Sequence, residues 1–145
     1  MDCYAVGPTL GCGTAALYPD STIVYPYCYK DCEVLDNGPL RFTTKFGYNP
    51  LVVKGDSNVI ETRIISLDKG SQLNKTVVSF DNLQETTPVV TGIVLHKQNP
   101  TGYSFDANAG YIAYADSTEN AANNNGVIYI GAVFPANIKG ALPQI

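Results

Sequence analysis

KTVVSF (residues 75–80), DNLQETT (81–87) and PVVTGIVL (88–95) run on without a break, and this stretch decides the fold class. Successive side chains of an extended segment alternate between faces, so Thr76, Val78 and Phe80 share one face. The run Val89 to Leu95 is apolar and β-branched, the pattern of a strand covered on both sides. That places it in the middle of a packed β domain. Pro88 lacks a ladder donor and can only start such a strand. The two runs read as a hairpin-like pair.

Working outward, the same alternation recurs. In LRFTTKF, Leu40, Phe42, Thr44 and Phe46 form one face, and Arg41, Thr43 and Lys45 the other. LVVK follows, then NVIETRIISL with apolar residues on both faces. YSFDA, GYIAYA and GVIYIGAVF are further strands. Gly, Pro, Asn and Asp punctuate them at GYNP, KGDSN, DKGSQLN and HKQNPTG, where the chain must turn. STENAANNNG reads as a loop, and the tail PANIKGALPQI has no period. No stretch shows a helical period that does not also read as alternation. Many short strands between turns predict an all-β fold, an antiparallel β-sandwich or jelly roll.

Residues 1–38 differ. They hold all four cysteines, three prolines and many glycines, and VGPTLGCGT reads as loop. STIVYPYCY alternates at Ile23, Tyr25, Tyr27 and Tyr29, but Pro26 demotes it to an edge strand or bulge. Asp36-Asn37-Gly38-Pro39 is a turn. The reading is therefore a cysteine-rich, loop-rich N-terminal arm over 1–38 and a β-sandwich domain over 39–145.

The chain has 145 residues, one domain's worth. Charged residues make up 15% against the usual ~25%, which leaves much neutral surface of the kind subunit contacts use. The net charge of −4 sits in residues 1–38, where Asp2, Asp20, Asp31, Glu33 and Asp36 face Lys30 alone. An acidic chain without a basic cluster argues against nucleic-acid binding. No apolar run approaches the ~20 residues of a membrane span. The start lacks a basic and apolar leader. Either the chain is made in a cytosol as it stands, or a leader was removed.

Cys3, Cys12, Cys28 and Cys32 are spaced too widely for the two close pairs of a structural zinc site. Disulfides are the preferred reading over free thiols, with zinc third, and four cysteines allow three connectivities. Bridges would offset the ordering entropy of a loop-rich segment and would imply an oxidising setting.

His96, the single histidine, reads as a surface or packed residue. General-base work would need an orienting acid and a nucleophile, and no nucleophile elbow is present. Asp106-Ala-Asn108-Ala-Gly110 echoes half a calcium loop, but Ser117 stands where the bidentate Glu belongs. Turn chemistry is the default for it, and a loop-built cation site with Asp116 and Glu119 the lesser alternative. Paired carboxylates for glycoside hydrolysis require a set separation that residue types do not reveal. Asn74-Lys75-Thr76 matches a glycosylation acceptor, a triplet common by chance. No phosphate loop, dinucleotide fingerprint or metal motif occurs, so no catalytic residue, metal or cofactor is expected.

The run KTVVSFDNLQETTPVVTGIVL resembles the heart of H-type-lectin-like and phage-appendage β-sandwiches, in which a strand ending in Phe, a loop and a Pro lead into a Val-rich strand. GVIYIGAVF resembles their final strand, with Tyr129 where a Trp is typical. The resemblance covers less than half of the chain. It implies a six-to-eight-stranded sandwich that trimerises, as in sugar-binding proteins and virion fibres or decorations.

Three functions follow as expectations. The first is a non-enzymatic structural virion protein, a phage capsid-decoration or fibre subunit acting by self-assembly, located in a virion or outside the cell. Its leading segment would order on a neighbouring subunit, with Tyr25, Tyr27 and Tyr29 as assembly anchors. The second is a carbohydrate-binding module. There Tyr103, Tyr111 and Tyr114 would stack on a sugar ring, and Asp106 and Asn108 would bond its hydroxyls, against ordinary cross-strand tyrosine pairing. The third is a pilus or matrix subunit using donor-strand contacts. The partners are a homo-oligomer, a trimer first, with other virion or filament subunits, and a glycan under the second function, but neither nucleic acid nor membrane.

Overall fold

The structure, a computed structural model, describes residues 9–26, 28–117, 123 and 126–134. Among them lie ten strands and no α-helix: β1 (Cys12–Leu17), β2 (Tyr29–Asn37), β3 (Arg41–Tyr48), β4 (Leu51–Val53), β5 (Asp56–Asp68), β6 (Lys75–Asp81), β7 (Val89–Ile93), β8 (Tyr103–Asp106), β9 (Tyr111–Ser117) and β10 (Val127–Val133). β5 is the hub of the largest sheet. It pairs antiparallel with β3, β4 and β6, and β2 is added outside β3. A three-stranded antiparallel sheet has the order β10-β9-β8, and β1 pairs with β7. The fold class is the expected one, all-β with antiparallel sheets of the sandwich type.

The chain forms two compact units, Met1–Ala15 with Thr91–Ile145, and Ala16–Val90. The second unit is centred on Leu17, Leu51, Val53 and Val59, with Val24, Phe80 and Leu83 packed around them. Its β4–β5 hairpin closes on Lys54 and Gly55, both at positive φ (49° and 85°). Two such residues make the mirror-image turn whose twist matches the flanking strands. In the first unit Leu10 and Tyr114 are buried, and a Cβ on Gly92 would sit 3.4 Å from Leu10 Cδ1.

Several expectations change. β6 and β7 are both strands, but they do not pair with each other. The seven-residue connector is too long for a tight hairpin, so β6 joins β5 and β7 joins β1. Nor is β7 central: among the described residues β1 is its one partner strand, and Val89 is 54% exposed.

Two stretches of the segment expected as a separate arm over 1–38 are built into the sheets. Residues 12–17 form β1 and 29–37 form β2, and Leu17 is fully buried. The units accordingly divide at Ala15/Ala16 and Val90/Thr91 rather than after Gly38. STIVYPYCY (21–29) is not one continuous strand among its described residues: Ser21 ends a 3-10 turn at Pro19–Ser21, in which Asp20 and Ser21 have positive φ, Val24 makes an isolated bridge to Leu17, and Tyr29 opens β2 opposite Tyr48.

Candidate functional site

Alternation along β9 points Tyr114 and Asp116 to the buried face of the β10–β9–β8 sheet. His96 follows β7 and comes onto the same place. Its Nδ1 lies 2.7 Å from Asp116 Oδ1, and its backbone N–H donates to the Tyr114 hydroxyl at 3.0 Å. Asn99 Nδ2 donates to the Ala115 carbonyl (2.8 Å), which staples the 96–102 turn onto β9. An acid on Nδ1 fixes the imidazole's orientation and directs Nε2 away from the acid. The orienting acid that general-base work requires is therefore present, twenty residues downstream.

Among the described residues no activated nucleophile is bonded to His96. Cys12 lies in reach of Asp116, and its thiol is pushed up, first by burial and then by that carboxylate. Thiol nucleophiles need the opposite shift. The constellation therefore orients and packs His96 and leaves Cys12 protonated.

The five residues expected to meet a sugar are divided. Tyr103 and Tyr114 are direct cross-strand partners on one face, with Tyr114 only 2% exposed. Asp106 and Tyr111 pair on the other face, where Ser104 Oγ lies 3.1 Å from the Tyr111 hydroxyl. Asp106 Oδ1 accepts the amides of Asn108 (2.8 Å) and Ala109 (2.9 Å), and the Asp106 carbonyl accepts that of Gly110 (2.8 Å). This is the turn chemistry expected by default. A shallow depression does form beside these strands. Gly102, Ser104, Ala113 and Ala115 line it with Tyr103 and Tyr129, and Tyr129 is 80% exposed. The sequence marks Tyr129 as the residue in place of a typical Trp, but nothing local marks its exposure.

The second unit holds a charged pair that alternation alone does not reveal. The inward face of β5 carries Val59, Glu61 and Arg63 in succession. Arg63 Nε donates to Glu61 Oε1, and the guanidinium lies 5.1 Å from the Tyr48 ring centroid. Glu61 is fully buried, and its Oε2 has no hydrogen-bond partner among the described residues. Burial pushes the Glu61 carboxyl up, against the smaller pull of Arg63. Elsewhere in this unit Lys54 Nζ bonds Glu85 Oε1 (2.5 Å) and meets Asp20 Oδ1 (3.3 Å), with Leu83, Glu85 and Thr87 beside it along a shallow cleft.

Cys12, Cys28 and Cys32 are free thiols, so no bridge joins the described cysteines. Cys32 Sγ instead lies 3.2 Å from Thr44 Oγ1 across the β2–β3 pair. Cys28 and Cys32 are four residues apart on nearly extended chain, roughly 13 Å along a strand, beyond a disulfide's Cα separation of about 4.4–6.8 Å. Cys3 lies outside the described residues. Of the expected anchors, Tyr25 is half-buried, Tyr27 lies outside the described residues, and Tyr29 is 57% exposed with its ring edge-on to Phe46 at 5.2 Å. Among the described residues no group of His, Cys, Asp and Glu is placed to hold a metal ion, and no helix is long and apolar enough to cross a membrane.

Residues 1–144 match the model of a family described as a domain of unknown function, DUF4861. The chain belongs to that family. No curated protein and no solved structure matches it. The DUF4861 match covers almost the whole chain and assigns no chemistry to it.

Proposed function

We propose that this DUF4861 chain is a non-enzymatic structural subunit that works by self-assembly and surface contact, as a virion decoration or fibre protein does. One observation carries the reading. Among the described residues seven hydrophobic side chains are buried, whereas sixteen large ones are exposed. Single exposed apolar residues are ordinary, but here they fall in rows. Val127, Tyr129 and Val133 project from one face of β10, and Tyr29, Val34 and Leu35 lie along β2. Aligned apolar surface of this kind is characteristic of protein contact. The low charge content agrees, since interface cores are depleted of charge. The sandwich resemblance adds the virion or extracellular setting and a trimer as the first stoichiometry. Size-exclusion chromatography with light scattering tests the reading. A homo-oligomer at micromolar concentration supports it, and a monomer at millimolar concentration overturns it.

A second reading, a carbohydrate-binding module, draws support from the depression beside Tyr103 and Tyr129. An exposed tyrosine ring over a floor of Gly, Ala and Ser suits stacking on a sugar, with Ser104 as a hydroxyl partner. A glycan array tests it. Binding that Tyr129→Ala abolishes supports it, and a blank array removes it.

A further inference from the structure

β10 is the outer strand of its sheet, and no described strand pairs with its free edge. Its seven residues, VIYIGAV, include no charge and no proline. Its register with β9 runs from Val127↔Ser117 to Val133↔Tyr111 without a bulge. Proteins ordinarily protect an edge of this length with charges, proline or bulges. This chain does so at β2, the edge of its largest sheet, which carries Lys30, Asp31, Glu33 and Asp36 and two register shifts. The protection is used on one edge and omitted on the other.

The hydrogen-bond parity of β10 follows from two bonds. Phe134 N–H donates to the Gly110 carbonyl at 2.7 Å, and Ala115 N–H donates to the Gly102 carbonyl at 3.0 Å. Residues 111, 113 and 115 of β9 therefore bond toward β8, and residues 112, 114 and 116 toward β10. Through the same register, Ile128, Ile130 and Ala132 spend their backbone groups on β9. Val127, Tyr129, Gly131 and Val133 direct theirs outward, where no described residue meets them.

We propose that β10 pairs antiparallel with β10 of a second copy about a two-fold axis at Ile130. The inference deepens the assembly reading and rests on it. In this register all four outward residues form hydrogen-bonded pairs, Val127 with the second copy's Val133 and Tyr129 with its Gly131. The side chains fit in the same register. Tyr129 covers a glycine, Ile128 lies against Ala132 and Val127 against Val133, large against small or like against like. The strand is uncharged, so self-pairing sets no like charges opposite each other despite the chain's net −4. Two three-stranded sheets become one of six strands. The product is a dimer, where the sandwich resemblance implies a trimer.

The test uses the full chain and Tyr129→Pro. The Tyr129 amide points away from β9, so proline there removes an outward donor and leaves the β9 ladder whole. The wild type is expected at twice the chain mass by light scattering, and the variant at the chain mass with an unchanged far-ultraviolet spectrum. If the variant loses its spectrum, a cross-link decides. Ile130 meets its own copy as a non-hydrogen-bonded pair, about 4.5 Å between Cα atoms, within disulfide range. Ile130→Cys, in a chain with its four native cysteines changed to Ser, is expected to give an oxidised dimer, and Val127→Cys in the same chain far less. An oligomer that survives Tyr129→Pro and gives no Ile130→Cys cross-link overturns the edge pairing and leaves the assembly reading standing. A wild-type monomer at millimolar concentration overturns both, and an unrelated extended peptide that binds β10 of that monomer gives the edge to a different partner.

Discussion

Asp116 holds His96 across the buried face of β9, with Oδ1 and Nδ1 2.7 Å apart and the carboxylate almost fully enclosed. The contact joins the turn after β7 to the three-stranded sheet and sets the ring's direction. Removing the acid leaves an enclosed imidazole without its partner. Asp116→Ala is expected to lower unfolding free energy by about 1–3 kcal/mol, and Asp116→Asn, which keeps an oxygen acceptor, by less. Urea denaturation of both variants measures this. A change of under about 0.5 kcal/mol, ordinary for a surface substitution, would show that the pair does not hold the turn.

Glu61 and Arg63 predict a pH effect of the less usual sign. Burial raises the Glu61 carboxyl above its ordinary 4.5, so the folded chain keeps that proton to higher pH than the unfolded chain does. Between the two values the folded state binds more protons, and stability falls as pH rises through the window. Glu61→Gln removes this dependence. The difference in unfolding free energy, wild type minus Glu61→Gln, is therefore expected to decline from pH 4.5 upward. A difference that is flat or rises with pH contradicts the assignment.

The other half of that pair gives a larger effect. Arg63→Ala would leave a buried carboxylate without its counter-charge, at a cost of about 3–5 kcal/mol. The Tyr48 ring under the guanidinium would lose its cation contact as well. Chemical denaturation at neutral pH reads the loss, and a variant as stable as wild type would mean that water reaches Glu61.

Leu17 tests whether the leading segment belongs to the fold. It is fully buried among Leu51, Val53 and Val59. Leu17→Ala should cost about 2–5 kcal/mol, whereas Val34→Ala on the exposed β2 should stay within about 0.5 kcal/mol. Deleting residues 1–38 should abolish the β spectrum rather than merely release an assembly arm. A truncated chain that keeps its spectrum would restore the arm.

The thiols give a direct chemical check. Cys12, Cys28 and Cys32 are free, so each should take up an alkylating reagent in the unreduced, denatured chain. Mass spectrometry of the peptides reads this residue by residue. A Cys28–Cys32 disulfide peptide would require β2 to bend where it is extended.

The sequence by itself determined that this is a β protein, because the two-residue alternation and the turn chemistry are local. LRFTTKF, NVIETRIISL, KTVVSF and GYIAYA are strands for reasons contained within their own residues. The β4–β5 hairpin was legible at Lys54-Gly55 for the same reason. Which strand pairs with which was not legible, since a period of two states only that a strand has two faces. β6 and β7 look like partners in the chain and join different strands. The small residues of 12–17 (CGTAAL) and the charges of 29–37 (YKDCEVLDN) hid two strands that neighbours stabilise. Glu61 and Arg63 sit on an alternating strand whose apolar residues suggested a hydrocarbon interior. His96 and Asp116 are twenty residues apart and meet only because the turn after β7 folds onto β9. Tertiary structure decided these matters because burial and partner choice are properties of surfaces brought together, and no local window of the chain contains both surfaces.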